Sequence, residues 1–274
     1  MDEIVQTPGS PDMIAALEAN LEEEMMYFGR FLENSEVYND GEVEGFFTGR
    51  NHLNCILRTH LRSSDPTYAA ASIQKVMRYF QEKQVSQLGW SLGEDVQPER
   101  MGTYLENYGF VKISEENIGM ALDVETFRAE EVPVAGLEIA EIEDLADLQL
   151  LKRMEIEGFG STEEMAQNYY EMYANAGFGP GTTWRHLCGR SEGEIVAAAS
   201  LLFYAGVAGI YGVSTLPGMR RRGIARAMVL HTIHVARHAG YRIVILSPTE
   251  MSEGIYRRLG FREYTRIQHY SFSL

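Results

Sequence analysis

Apolar and polar positions recur along the chain with periods that change from one segment to the next. Between residues 14 and 32, apolar side chains return every three or four positions, which is typical of an amphipathic helix. Ser10 precedes this stripe as a capping residue, and Pro11 suits a first helical position. Strand-like runs follow at 45–48 and 53–61. The N-terminal half therefore predicts a mixture of helices and strands.

The second half contains a strand, a basic turn and a helix in succession. Residues 207–215 are rich in β-branched and small side chains and predict a strand, whereas 224–238 lack proline and glycine and predict a helix. A helix N-terminus offers unpaired amide donors and partial positive charge, and Gly223 lets a bulky anion approach the backbone. The turn at 216–223 therefore indicates a phosphate site.

Two later segments complete a pattern that occurs twice. Residues 242–246 predict a buried strand, and a helix-like segment closes with Gly260–Phe261. The same ending stands 151 positions earlier, at Gly109–Phe110, and a strand follows it as well. The chain thus predicts two copies of one unit, joined in the acidic, irregular run 126–133.

Composition restricts the class of protein and its partners. The chain has 274 residues, of which 45% are apolar and 23% charged, as in ordinary globular proteins, and its length suits two domains. Of the net charge of −15, residues 1–130 carry −13. This acidity disfavours a nucleic-acid partner and suits a cationic amine, although solubility alone explains it equally well.

Targeting and metal-binding signals are absent from the sequence pattern. No stretch approaches the length of apolar residues that a membrane span needs, so we expect a cytoplasmic protein without a membrane partner. Cys55 and Cys188 are too few for a disulfide framework. His231, His234 and His238 share a helix but have no acidic or cysteine residue at ligand spacing, so no metal is expected.

The spacing Arg-x-x-Gly-x-Ala from Arg220 to Ala225, with Tyr256 four residues before Gly260, resembles the GNAT superfamily of N-acyltransferases. The resemblance extends from about Leu137 to Leu274. It implies an α/β fold of mixed α+β type, with two GNAT-like modules that each have a mixed, mostly antiparallel twisted sheet flanked by helices. The implied domains are 1–127, degenerate and acidic, and 134–274, catalytic.

The two copies differ where the resemblance places the cofactor. At the position of the basic loop 220–225, the first copy has residues 63–68, which include Asp65 and no glycine. At the position of Tyr256, the first copy has Leu105. We therefore expect the N-terminal copy to have lost coenzyme A binding. The second copy would bind acetyl-CoA, with the backbone of its strand along the pantetheine arm and the loop amides on the pyrophosphate. The residues expected to contact the cofactor are Val213, Ser214, Thr215, Arg220, Arg221, Arg222, Gly223, Ile224, Ala225, Arg226, Ser252 and Tyr256.

In the family, an amine attacks the thioester directly. The resemblance implies Tyr256 as the general acid at the departing sulfur. Glu155 is the candidate general base, with Glu157, Tyr211 or water as open alternatives. A tyrosine-rich helix, containing Tyr169, Tyr170 and Tyr173, is a candidate aromatic wall for the acceptor.

These features predict an acetyl-CoA-dependent N-acetyltransferase that acts on a small, cationic primary amine. A non-catalytic acyl-CoA sensor or scaffold is the alternative, and a phenol beside the sulfur favours the enzyme. A nucleotide-binding loop of the P-loop type would require a lysine followed by serine or threonine after the glycine, where Ile224 and Ala225 stand.

Overall fold

The computed structural model describes residues 3–114, 116–129 and 133–273. The α-helices are α1 (Pro11–Phe31), α2 (Pro66–Glu82), α3 (Met101–Asn107), α4 (Leu145–Arg153), α5 (Glu163–Ala176), α6 (Ile224–His238) and α7 (Glu250–Leu259). The strands are β1 (Glu36–Asn39), β2 (Val43–Phe47), β3 (Cys55–Thr59), β4 (Gln87–Leu92), β5 (Val111–Lys112), β6 (Asn117–Asp123), β7 (Leu137–Glu141), β8 (Trp184–Ser191), β9 (Glu194–Tyr204), β10 (Val207–Thr215), β11 (Ile243–Leu246) and β12 (Arg262–Ser273). A π-helix at Met154–Phe159 follows α4, and a 3-10 turn at Pro217–Met219 precedes α6.

The local predictions for the N-terminal half are confirmed. Helix α1 begins at Pro11, and the Ser10 hydroxyl accepts a hydrogen bond from the Met13 amide at 3.2 Å. Strands β2 and β3 correspond to the two predicted runs, whereas β1, a short and mostly polar strand, was not predicted. In the part of the chain that the structure describes, no helix is long and apolar enough to cross a membrane.

Residue contacts divide the chain into two compact units. The larger unit contains the described residues up to Glu23 together with Gly119–Tyr264. The smaller unit contains Glu24–Ile118 and the described residues from Thr265 onward. Each unit is thus built from two separate segments of the chain.

The larger unit has a sheet with the strand order β6-β11-β10-β9-β8-β7. Strands β10 and β11 pair in parallel, and the other neighbours pair antiparallel. All four residues of β11 are buried between β6 and β10, which explains its continuous apolar run. Helix α6 packs on β8, β9 and β10 through a broad apolar face that includes Met228 and Ile233. The π-helix contacts β10, α4 and α5.

The smaller unit has a similar sheet, with the order β1-β2-β3-β4-β12 and β5 paired with β12. Here β3 and β4 form the parallel pair. Trp90 lies in the core, where its indole nitrogen donates to the Thr59 hydroxyl at 2.9 Å and its ring meets the edge of Phe110. Helix α2 covers this core with Ala69, Ile73, Val76 and Phe80.

The order of elements confirms the predicted duplication. Three antiparallel strands lead in each copy to a helix, a strand parallel to the third, a second helix and a Gly–Phe pair. Gly109 and Gly260 end the second helices with φ values of +87° and +101°, in the left-handed region that favours glycine. The Gly–Phe signature therefore marks the same structural position twice.

The boundaries of the compact units differ from a single division between 127 and 134. Strand β6, which follows the first Gly–Phe pair, pairs with β11 in the larger unit. Strand β12, which follows the second, pairs with β4 in the smaller unit. Each sheet therefore includes the final strand of the other copy in sequence. Of the predicted join, residues 130–132 lie outside the described residues.

Asn20 explains why the N-terminal segment belongs to the larger unit. Its fully buried side-chain amide donates to the carbonyl oxygens of Leu202 and Tyr204 at 3.2 and 3.0 Å, and its side-chain oxygen accepts from the Tyr211 hydroxyl at 2.8 Å. A Cβ at position 209 would lie 2.2 Å from that oxygen, so glycine is required there. Unpaired, a buried amide of this kind costs about 1–3 kcal/mol.

We predict that a fragment of residues 134–274 does not fold cooperatively. It lacks β6, which leaves one edge of the apolar strand β11 unpaired, and it lacks Asn20, which leaves buried carbonyls without their donor. Circular dichroism and thermal melting of the fragment and the full chain measure this directly. A fragment of 119–274, which restores β6, should recover part of the structure, and a sharp melt of the shorter fragment would contradict the prediction.

Candidate active site

The basic turn has the backbone geometry of an anion site. Helix α6 begins at Ile224 without a side-chain cap, after Gly223 in the left-handed conformation at φ +82°. Arg221 is also left-handed, at φ +63°. The amides of the first helical turn have no acceptor within the helix, so they are available to an external anion. A Cβ on residue 223 would meet only ordinary contacts, so the φ angle, not space, requires glycine here.

The arginines around this turn have different environments. Arg221 and Arg222 are exposed and Arg226 is half-buried, and in the described chain no carboxylate lies within ion-pair distance of these three. Arg220 differs, because its guanidinium donates to the carbonyl oxygens of Thr215 and Gly158 at 3.1 and 2.8 Å. Its side chain therefore joins the loop to the π-helix, and its predicted contact with a phosphate stays a prediction.

Strand β10 carries a bulge immediately before the loop. Its register with β9 slips between Tyr211 and Ser214, so that Gly212 and Val213 face one residue of β9. The bulge interrupts the hydrogen-bond ladder at the strand end predicted to contact the cofactor. The hydroxyls of Ser214 and Thr215 are buried there and have no hydrogen-bond partner among the described residues.

The π-helix places Glu155 beside this bulge. Glu155 lines a pocket whose walls include Lys152, Tyr169, Tyr170, Ser200 and Ser214, and the open space between them has about the volume of one water molecule. Burial raises the pKa of the Glu155 carboxyl above its ordinary value, while the Ser161 hydroxyl, which donates to it at 3.2 Å, acts in the opposite direction. A carboxyl with a raised pKa suits a general base.

Two open alternatives for the base have other partners. Glu157 accepts from Arg153 at 2.8 Å on the exposed side of the helix. The Tyr211 hydroxyl donates to the backbone oxygen of Asn20 at 3.0 Å as well as to its side chain. Neither residue is among those that line the pocket. Of Glu155, Glu157 and Tyr211, only Glu155 lines the pocket.

Helix α7 carries Tyr256 and Ser252. Tyr256 is largely buried, burial raises the pKa of its phenol to about 12, and its ring meets the edge of Phe261 at 5.7 Å. It is therefore protonated at neutral pH, as a general acid must be. Ser252 forms the capping box of α7 with Thr249, whose amide donates to the Ser252 hydroxyl at 3.0 Å. That local role accounts for the serine, and its contact with a cofactor stays a prediction.

Sequence reasoning missed several groups in and beneath the pocket. Lys152 and Ser161 flank Glu155 in the chain, but their side chains carried no recognisable motif. Ser200 shares a 2.7 Å hydrogen bond with the Nδ1 atom of His186, a buried residue whose pKa is lowered to about 3 by burial and which is neutral. The pairing of β8 with β9 brings these two together, and sequence periodicity does not reveal it.

The corresponding helix start in the smaller unit is closed by its own side chain. Asp65 caps α2, and its carboxylate accepts from the amide and the hydroxyl of Thr67 at 2.7 and 2.5 Å. These hydrogen bonds lower the pKa of Asp65, so the carboxylate is charged at neutral pH. A carboxylate already in this position repels a second anion, which agrees with the expected loss of coenzyme A binding.

Several solved structures have the same architecture as this chain. A GCN5-related N-acetyltransferase from Kribbella flavida aligns over 93% of this chain and 95% of its own, with a TM-score of 0.71 and 19% identity. A tandem GNAT protein from the clavulanic acid biosynthesis pathway aligns over 99% and 98%, with a TM-score of 0.67 and 14% identity. At 19% and 14% identity, the similarity to these two structures establishes the fold of this chain and no more.

A sequence match agrees with this fold. Residues 142–261 match the model of the acetyltransferase (GNAT) family. A functionally unknown conserved protein from Staphylococcus epidermidis shares the fold over 90% of this chain, with a TM-score of 0.63 and 12% identity. Among curated proteins, none matches the sequence. Within the described residues no group of three or more histidine, cysteine or acidic side chains is arranged to hold a metal ion.

We predict that Glu155→Gln raises the melting temperature at pH 7 and not at pH 4. A carboxyl whose folded-state pKa is raised contributes stability below its unfolded pKa, and this contribution is lost as the pH rises through the folded pKa. Glutamine removes the buried charge and keeps an acceptor for Ser161. Thermal melts across pH 4–8 measure the effect.

Glu157→Gln is the matched control on the same helix. It removes an exposed ion pair and should leave the melting temperature nearly unchanged, because solvent screens such pairs. A lower melting temperature for Glu155→Gln at neutral pH would show that the carboxylate stabilises the fold and would contradict the assignment.

Proposed function

We propose that the protein is an acetyl-CoA-dependent N-acetyltransferase acting on a primary amine, which is cationic in water. One observation carries this proposal: the uncapped, glycine-led start of α6 directly follows the bulged end of β10, and Glu155 lies in a pocket beside the same bulge. The proposed phosphate site and the carboxyl of Glu155, the proposed general base, thus both lie at the C-terminal end of β10. The cytoplasmic location expected from the sequence stays a prediction.

The residues present fit an acyl-CoA. The open amides of the first turn of α6 and the unneutralised Arg221, Arg222 and Arg226 suit a pyrophosphate and a further phosphate. The interrupted ladder at Val213 and the partnerless hydroxyls of Ser214 and Thr215 suit the polar groups of a pantetheine arm. Bound there, acyl-CoA supplies an acyl group activated as a thioester.

The side chains have matching tasks in direct transfer. Glu155 accepts a proton from the amine nitrogen as that nitrogen forms a bond to the acyl carbon. Tyr256 donates its proton to the sulfur as the carbon–sulfur bond breaks, so that the thiol leaves neutral. The Val213 amide, at the bulge, is a donor for the carbonyl oxygen on which charge develops. Before the attack the ammonium form of the amine loses one proton to water, which is the net proton that the reaction releases. The proton that Glu155 then accepts equals the one that Tyr256 gives to the sulfur, so exchange with water restores both side chains.

An acylation assay tests the proposal. Purified protein with acetyl-CoA and a panel of primary amines should release free thiol in proportion to the acetylated amine, detected by mass spectrometry. Acetyl-CoA binding without thiol release from any amine would replace the enzyme with the sensor or scaffold alternative. Absence of acetyl-CoA binding would overturn both.

We predict that Gly223→Glu weakens acetyl-CoA binding by at least roughly 100-fold, because the new carboxylate competes for the open amides and repels the pyrophosphate. Isothermal titration calorimetry measures the loss. Gly193→Glu is the matched control, since Gly193 has φ +85°, lies in a turn of the same unit and has open space around it. Both variants bear a similar strain of about 1–2 kcal/mol. Equal affinities of the two variants would remove the phosphate site from this loop.

We predict that Tyr256→Phe lowers kcat by about 10- to 100-fold with little change in the KM for acetyl-CoA, because the phenol acts only as the sulfur departs. Steady-state kinetics with thiol detection separate the two parameters. Tyr108→Phe, which changes a tyrosine of the smaller unit bonded to the exposed Gln74, should leave both unchanged. An unaltered kcat for Tyr256→Phe would exclude the phenol from proton transfer.

A further inference from the structure

The pocket beside the bulge contains charges of both signs. Lys152, in the last turn of α4, and Glu155, in the π-helix that continues from it, both line the pocket. Residues three positions apart along a helix lie on the same side, with Cβ atoms about 5–6 Å apart. An ammonium and a carboxylate are therefore presented side by side to whatever enters.

Neither charge is neutralised by another protein charge. The Lys152 ammonium donates to the side-chain oxygen of Gln167 at 2.6 Å and lies over the ring of Tyr170 at 5.9 Å. Glu155 accepts from Ser161. Across the described residues, no carboxylate lies within 4 Å of Lys152 and no cationic group within 4 Å of Glu155.

Two neighbouring charged residues on the same segment are, by contrast, paired with each other. Arg153 and Glu157 form an ion pair with each other on the exposed side of the same segment. The two charges in the pocket thus have neutral partners, whereas the two charges outside it are paired. A partly desolvated ammonium without a counter-charge favours an anionic ligand.

We propose that Lys152 binds a carboxylate of the acceptor, so that the substrate is an amine that also carries a carboxylate, as an amino acid does. This inference rests on the proposed function, because it assigns the acceptor of that same pocket. Gln167 holds the lysine in place, and Glu155 receives the amine end. Two opposite charges fix the orientation of such a molecule, which directs its nitrogen toward the bulge. A diamine of similar length would place its second positive charge against Lys152.

Matched substrate pairs test the inference on the full chain with acetyl-CoA. Alanine is compared with ethylamine and with alaninamide, and glycine with methylamine, each at the same concentration of free amine base. The amino acids should have kcat/KM values about 10- to 100-fold higher, the range of one charge-assisted hydrogen bond. Calorimetric titration of each compound into the protein without cofactor provides a second readout that does not depend on turnover.

Variants of Lys152 test whether this side chain causes the preference for amino acids over simple amines. Lys152→Met should remove the preference, so that the ratio of kcat/KM values between each amino acid and its decarboxylated amine falls to about one, and Lys152→Arg should restore most of it. Lys75→Met, in the smaller unit, should have no effect. Equal use of amino acids and simple amines, or an equal loss for both with Lys152→Met, would overturn the inference and leave the proposed function intact. No thiol release from any amine would overturn both.

Discussion

Helix α6 starts without a side chain that satisfies its first amides, and the site depends on this feature. Five other helices of the described chain, α1, α2, α4, α5 and α7, begin with a side-chain oxygen bonded to a backbone amide. Such a cap contributes about a few tenths of a kcal/mol more than glycine does at the same position. At Gly223 the chain forgoes this stabilisation and keeps the amides open. An anion at that position then supplies the missing acceptor, so ligand binding and helix stability are linked.

The two copies share one arrangement of elements, but the helix start is open in one copy and closed in the other. Both copies place a helix after the third antiparallel strand and return to a parallel strand beside it. In one copy that helix begins at Gly223 and is open, and in the other Asp65 closes it with its own carboxylate. At the start of this helix the two copies therefore differ in whether a side-chain carboxylate occupies the first amides. The N-terminal copy nevertheless contributes to the sheet of the larger unit, because the strand that follows its Gly–Phe pair, β6, pairs with β11 there.

Local features could be predicted from the sequence and long-range pairings could not. The start of α1, the loop at Gly223 and the Gly–Phe helix ends depend on backbone preferences within a few residues, and their signals are correspondingly clear. The pairing of β6 with β11 joins segments more than a hundred residues apart. The apolar run of β11 shows that it is buried, and it does not specify which strand covers its edge.

The same distinction applies within the site. Tyr211 was a reasonable candidate base because it stands on the strand before the loop, and its actual partner, Asn20, comes from a distant part of the chain. Glu155 and Glu157 could not be separated by residue type. A spacing of two positions directs helical side chains to different sides, and only the packing of the π-helix on β10 shows which side is the pocket.

Arg220 connects the loop before α6 to the π-helix that carries Glu155. It belongs to the motif that identifies the loop, yet its guanidinium binds the carbonyl oxygens of Thr215, at the end of β10, and of Gly158, in the π-helix. Gly158 lies so close to β10 that a Cβ there would be 3.0 Å from Ser214. One side chain thus holds the loop before α6 against the π-helix that carries Glu155. Because both segments share this link, an anion that orders the loop also fixes the position of Glu155 relative to the bulge.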